Sequence, residues 1–106
     1  MEAIVVFVTA ANSDEGELIA HRLLDAGLVA CASVVRDVSS HFIWRGTRTQ
    51  ADECLLVMKT LRSRFADLCR EVRDAHSYEV PEIIALPILE GDEAYLSWLK
   101  EAVDAS

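Results

Sequence analysis

The amino-acid sequence predicts a single α+β domain in which helices cover one face of a four-stranded antiparallel sheet. A length of 106 residues suits one domain with one core. The composition, 52% hydrophobic and 26% charged, is typical of a folded globular protein. Short β-rich apolar runs and helix-spaced apolar stripes follow one another in the order β-α-β-β-α-β, with a further helix at the end. We find no internal repeat and treat residues 1–106 as one domain.

The first half of the chain predicts a strand, a helix and a long second strand. Ala3–Ala10 is rich in β-branched and aromatic residues, as strands are. Asn12–Glu15 supplies capping and acidic side chains for a helix N-terminus, and Gly27 is a natural cap at its end. A second strand runs from Val29 to Trp44. Its polar interruption at Asp37 predicts a bulge or bend.

The second half predicts a returning strand, a second helix, a fourth strand and a terminal helix. Arg45–Arg48 is a turn, and the third strand that follows it ends in Cys54–Met58. Apolar residues at spacings of four, three and four predict an amphipathic helix over Leu61–Ala75. Ile83–Leu86 is predicted to be the fourth strand, and Leu96–Val103 carries the apolar stripe of a C-terminal helix.

This order of elements is the split βαβ plan of the ferredoxin-like sandwich, whose second and fourth strands lie at opposite edges of the sheet. The helices of such a domain cover one face only, and a sheet with one wet face alternates apolar with polar residues. Ile4–Val8, Leu55–Met58 and Ile83–Leu86 are instead apolar on both faces. We therefore expect a homo-oligomer whose uncovered sheet faces turn inward.

Charge and cysteine content narrow the partners and the compartment. The chain has 10 Lys and Arg against 18 Asp and Glu, a formal net charge of −8. This balance argues against nucleic acid or an anionic membrane as a partner, since both require clustered positive charge. The first apolar run, Ile4–Val8, is too short for a signal peptide and lacks a basic flank. Cys31, Cys54 and Cys69 are odd in number without CxxC spacing, which predicts free thiols in the cytoplasm.

The densest polar chemistry lies in residues 76–82, the His76 loop, just before the fourth strand. Pro81 fixes its own φ and keeps the preceding residue out of the α region, so the loop is extended and rigid. The imidazole of His76 and the carboxylates of Glu79 and Glu82 are ligand types suited to copper or zinc. The structural alternative is that Tyr78 packs the loop, the acids are solvated, and His76 caps the second helix.

Cys31 is a further candidate ligand. A cysteine among small strand residues is usually an inert core residue, although its thiolate would bind copper strongly. Because the second and fourth strands lie at opposite edges, Cys31 and the His76 loop can meet only between subunits. The sequence contains no nucleophile with an adjacent base and no glycine-rich phosphate loop, so we expect no enzyme. Acid–base catalysis by His76 and the glutamates would require shifted pKa values.

Several segments carry a family resemblance. The pattern H-x-Y-E-V-P-E-I-I-A-L-P at residues 76–87 resembles the signature of the CutA family, the divalent-cation-tolerance proteins. Further matching segments are Val8–Ala10, Leu28–Ala32, Trp44–Gly46, Leu55–Thr60 and Tyr95–Trp98. The resemblance implies a ferredoxin-like subunit assembled as a stable homotrimer, similar to PII-type signal proteins. It also implies tolerance of divalent cations, copper especially, with ligands matching Cys31 and the His76 loop.

These observations lead to a cytoplasmic, trimeric, copper-binding protein without enzymatic activity. The expected metal ligands are Cys31, His76, Glu79 and Glu82. The alternative is a PII-like regulatory module that binds a small effector between subunits. A basic cleft with backbone N–H donors would favour that alternative, and the scarcity of glycine and of clustered Lys and Arg counts against it.

Overall fold

The computed structural model describes residues 2–104 and contains four strands and three α-helices within that range. In chain order the elements are β1 (Ala3–Ala10), α1 (Ser13–Asp25), β2 (Cys31–Trp44), β3 (Thr47–Leu61), α2 (Phe65–Ala75), β4 (Ile83–Pro87) and α3 (Glu93–Asp104). A short 3₁₀ turn, Arg62–Arg64, joins β3 to α2. No helix in the described range has the length and apolarity needed to cross a membrane.

The strands form one antiparallel sheet in the order β2-β3-β1-β4. β2 and β4 are therefore the edge strands, and the predicted ferredoxin-like arrangement is confirmed. Side chains from α1 and α2 share one core with the inward-facing positions of β1 and β3. Its fully enclosed members include Ile19, Leu23, Leu68, Val72, Val6, Val8, Leu56 and Met58.

The second helix begins later than its apolar stripe predicted. Leu61 was expected to start the helix, but it pairs with Ala3 as the last residue of β3. Its side chain is buried in a second cluster with Leu99 and Val103 of α3. A leucine suits both a strand and a helix stripe, so packing against the terminal helix decided its place.

Beyond β1 and β4, the ends of β2 and β3 continue as a two-stranded hairpin, residues 38–53, which we term the hairpin arm. Its turn is formed by Arg45 and Gly46 with φ of 51° and 79°. Two successive positive φ values are typical of the tight turn that matches strand twist. The predicted bulge is confirmed: the register shifts between Val35 and Val38, and Asp37 between them has φ 59°.

The opposite side of the sheet, which we term the open face, is not covered by α1 or α2. Within residues 2–104 only α3 packs on it, at the end formed by Ala3 and Leu61. Strand register places these side chains on it: Val5, Phe7, Thr9, Val35, Leu55, Val57, Ile84 and Leu86. Ile84 and Leu86 are 52% and 53% exposed. The expectation of apolar residues on both faces is thus confirmed. Assembly of chains around the open face stays a prediction.

Candidate functional site

His76 is the centre of a hydrogen-bond network at the end of α2. Its side chain is fully buried, and its Nε2 lies 2.7 Å from the carbonyl oxygen of Thr9. Because a carbonyl only accepts, Nε2 carries the proton; Nδ1 accepts the backbone N–H of Tyr78 at 3.0 Å. The ring is therefore a neutral imidazole with both nitrogens occupied. The last pair between β1 and β4 is Val8 with Ile83, and Thr9 is the next residue of β1. The imidazole therefore binds β1 just beyond the point where its pairing with β4 ends.

Glu15 anchors the His76 loop to the start of α1. One carboxylate oxygen accepts the N–H of Ser77 at 3.0 Å, and the other accepts that of Ala11 at 2.9 Å. The side chain of Asn12 in turn caps the N–H of Glu15. Partial burial opposes ionisation of Glu15, but the hydrogen bonds from Ala11 and Ser77 outweigh it and lower the pKa of this carboxyl. Glu15 therefore holds the loop as an ionised acceptor at neutral pH.

Tyr78 and Glu53 form a second enclosed pair on the other side of the loop. The Tyr78 hydroxyl donates to Glu53 Oε2 at 2.7 Å, and Glu53 is only 7% exposed. Burial, followed by the hydrogen bond to Glu53 and its charge, raises the pKa of Tyr78 well above the ordinary value. The phenol thus stays protonated and keeps donating to the carboxylate. The Tyr78 and His76 rings lie 4.8 Å apart, which couples the two networks.

A cleft of about 760 Å³ opens between the hairpin arm and the His76 loop. Register places Thr9, Ala51 and Glu53 of its lining on the open face. Aromatic and acidic side chains dominate its chemistry: Phe42, Trp44, Tyr78, Glu53, Glu79 and Glu82. At the rim, the Arg45 guanidinium lies 5.4 Å from the centre of the Trp44 ring. The same guanidinium is 3.4 Å from Glu79.

The structure separates the predicted metal ligands within one chain. Positions along β3 show the separation. Cys31, at the start of the edge strand β2, pairs with Lys59 of β3. His76 is bonded to the carbonyl of Thr9, and Thr9 pairs with Leu55 of β3. Four residues along β3 correspond to about 13 Å, and the width of the sheet adds to that separation. In residues 2–104 no three His, Cys, Asp or Glu side chains are close enough together to hold a metal ion.

The surroundings of the individual candidate ligands differ. The Cys31 thiol is partly exposed and lies 3.7 Å from the Tyr95 hydroxyl, a contact that raises the pKa of Tyr95. Glu79 and Glu82 are exposed at the cleft rim. His76 is enclosed, as the structural alternative expected of a packed loop. Its bonds to Thr9 and Tyr78 are more specific than the expected helix cap.

Two important residues escaped the sequence analysis. Glu53 was not singled out, although it has the same strand parity as Leu55 and Val57 and therefore lies with them on the open face. Glu15 was expected to be an ordinary first-turn acid, whereas it binds Ser77, which lies 62 positions away. Sequence spacing carries no signal for a contact of that separation.

Comparison with known proteins agrees with this fold. A family model described as CutA1 divalent ion tolerance protein matches residues 4–102. The chain is 39% identical over 97 residues to the divalent-cation tolerance protein CutA of Thermus thermophilus, covering 92% of this chain and 94% of that one. It is 39% identical over 100 residues to the chloroplastic protein CutA of Arabidopsis thaliana. That match covers 94% of this chain and spans about half of the plant protein, 55%.

Solved structures lead to the same family. The divalent cation tolerance protein Cut A1 of Thermus thermophilus superposes with a TM-score of 0.92 at 38% identity, covering 94% of this chain and 97% of that one. CutA1 of Oryza sativa superposes with a TM-score of 0.93 at 38% identity, covering 96% and 94%. These superpositions confirm the α+β fold class. The chain belongs to the CutA1 family of divalent ion tolerance proteins.

Proposed function

We propose that this protein serves divalent cation tolerance by binding copper ions as a cytoplasmic homotrimer, without catalysing a reaction. Its ligands would be Cys31 from one subunit and His76, Glu79 and Glu82 from a neighbour. One observation carries the proposal: candidate ligands lie at opposite edges of a sheet whose apolar open face, within residues 2–104, is covered by α3 at one end only. Assembly of copies would bury that face and bring opposite edges together.

The donor types suit a copper-class ion. Thiolate, imidazole and carboxylate together are ligands for borderline and soft divalent metals rather than for magnesium or calcium. Free cysteines, including Cys31, support a reducing compartment. Family membership supplies the link to divalent cations, and the family is named for ion tolerance rather than for a reaction.

Not every donor is equally ready to bind. Glu79 would exchange its exposed ion pair with Arg45 for the metal, which costs little because such pairs are weak. His76 would have to release the N–H of Tyr78 from Nδ1 or the carbonyl of Thr9 from Nε2. We therefore expect Cys31 and the glutamates to contribute most to affinity, and His76 to act chiefly by holding the loop in place.

The test is a calorimetric titration of Cu²⁺ and Zn²⁺ into reduced, metal-free protein, with the mass in solution measured by analytical ultracentrifugation. We expect three chains per particle and one copper per chain bound more tightly than micromolar. Cys31→Ser should weaken copper binding strongly. Cys69→Ser is the matched control, because Cys69 is a partly buried thiol on α2 outside the expected ligand set. Equal affinities in both variants would contradict Cys31 as a ligand.

A second variant tests whether the site forms between subunits. Ile84→Asp places a charge on the open face, where the side chain is 52% exposed, and should dissociate the assembly. Leu89→Asp introduces the same charge at a residue that is 91% exposed and follows β4, and should leave assembly intact. If the dissociated Ile84→Asp chain still bound one copper with unchanged affinity, an intersubunit site would be refuted.

A further inference from the structure

The cleft between the hairpin arm and the His76 loop has chemistry that a metal ion does not use. We propose that it binds a linear organic di- or polyamine, whose ammonium groups meet the cleft carboxylates while its methylene chain packs on the aromatic rings. The ligand class differs from that of the copper site. The inference therefore does not rest on copper binding.

Glu53 provides the first reason, because it is a buried carboxylate without a cation. Within residues 2–104, only Oε2 of Glu53 receives a hydrogen bond, from the Tyr78 hydroxyl. No Lys, Arg or His side chain in the same range lies within ion-pair distance of the Glu53 carboxylate. In the same residues, no fully enclosed side-chain oxygen or nitrogen lacks a partner. Glu53 Oε1 must therefore open to the cleft that this residue lines. A carboxylate withdrawn from water gains most from a cation that can reach it.

The aromatic lining provides the second reason. Phe42 and Trp44 are 39% and 43% exposed, which leaves large apolar surface uncovered at the mouth of a cleft. Trp44 already has a cation against its ring, the guanidinium of Arg45 at 5.4 Å. Aromatic faces attract ammonium groups as well as guanidinium groups, and the rings also cover methylene chains. The lining thus fits a ligand that is cationic and partly apolar.

The spacing of the acids decides between a metal ion and an organic cation. Glu53, Glu79 and Glu82 line one cleft, yet they do not form a cluster able to hold a metal ion. A single ion cannot be held by all three carboxylates at once, whereas ammonium groups joined by methylenes can pair with carboxylates that lie apart. The cleft volume of about 760 Å³ is in the usual range for small-molecule sites.

Arg45 is the internal competitor in this arrangement. Its guanidinium contacts the Trp44 ring and Glu79, two groups that the ligand would also use. Arg45 and Glu79 side chains are 72% and 78% exposed, so their ion pair is weak and easily displaced. Removal of Arg45 should therefore tighten binding. The effect is expected from the loss of this local competitor, since the net charge of the protein changes by only one.

The experiment is equilibrium dialysis of labelled 1,5-diaminopentane against metal-free protein in about 0.15 M salt. We expect saturable binding at one molecule per chain. Glu53→Gln keeps the shape and an acceptor for Tyr78, and should weaken binding about tenfold. Glu90→Gln removes the same charge from an exposed position outside the cleft and should leave affinity unchanged. Arg45→Asn tolerates the positive φ of the turn and should tighten binding several-fold.

Pentane-1,5-diol, which has the same chain length without charge, should fail to compete. The proposal is overturned by non-saturable binding, by equal effects of Glu53→Gln and Glu90→Gln, or by competition from the diol. It is also overturned if the diamine binds only to dissociated Ile84→Asp chains, since a second copy then occupies the cleft. Copper titration of Glu53→Gln separates the two proposals, because this residue is outside the copper ligand set and its loss should leave copper affinity intact.

Discussion

Replacing His76 by alanine tests whether this residue chiefly supports the loop. The change removes a fully buried ring and two hydrogen bonds, to the Thr9 carbonyl at 2.7 Å and from the Tyr78 N–H at 3.0 Å. Each bond contributes about 1 kcal/mol net, and a buried partner left unpaired costs about 1–3 kcal/mol. With the cavity left by the ring, we expect His76→Ala to lower the free energy of unfolding by about 2–4 kcal/mol.

Two conservative variants divide that loss between the ring nitrogens. His76→Asn places a carbonyl oxygen near the position of Nδ1 and should keep the bond from Tyr78. His76→Gln places an amide N–H near Nε2 and should keep the bond to Thr9. Each should recover about 1 kcal/mol relative to alanine. Guanidinium unfolding measures this, at one chain concentration because the stability of an oligomer depends on concentration.

The same variants separate support from metal ligation. Asparagine and glutamine are poor copper ligands. If His76 only supports the loop, the His76→Asn and His76→Gln variants should nevertheless keep most of the copper affinity, in proportion to the stability that they retain. A ligating histidine predicts that copper affinity falls equally in all three variants while stability differs. The reasoning on support is refuted if His76→Ala unfolds within about 0.5 kcal/mol of the unmodified protein, the range of ordinary surface changes.

Two further predictions concern the neighbouring networks. Because the pKa of Tyr78 is raised in the folded chain, the unfolded chain ionises first, and stability should fall as pH rises above about 10, by up to about 1.4 kcal/mol per pH unit. Tyr78→Phe should flatten this fall in unfolding free energy; an unchanged slope would contradict the assignment. Gly16→Ala would place its Cβ in steric clash with Cys54 Sγ, so overpacking should outweigh the gain in helix propensity and cost about 1–2 kcal/mol in denaturant unfolding. The loss should vanish in a Cys54→Ala background; an equal loss there would show another cause.

The elements of the fold were largely predictable because their signals are local. The polar break at Asp37 within an apolar strand predicted the bulge that the register shift confirms. A turn was predicted at Arg45–Arg48, and in the structure it consists of Arg45 and Gly46 alone. The predicted start of α2 was wrong. Leu61 suits both a strand and the apolar stripe of a helix, and its packing against Leu99 places it in the strand.

The candidate site was only partly predictable. The sequence singled out the His76 loop, since Pro81 and the crowded polar residues mark it without reference to the rest of the chain. It also predicted that Cys31 would be remote from that loop, because strand order follows from element order. It did not identify Glu53, whose importance depends on which side chain lies above the open face.

The sequence by itself determined the order of strands and helices and the existence of a second apolar sheet face. Propensity, periodicity and capping act over a few residues, so they can be read along the chain. Only the tertiary structure decided that both nitrogens of His76 are occupied and that Glu53 is buried against Tyr78. Those contacts join residues 67 and 25 positions apart, and the bond of Glu53 to Tyr78 bridges the hairpin arm and the His76 loop. The packing of these elements against one another therefore sets the charge and hydrogen bonding of the site.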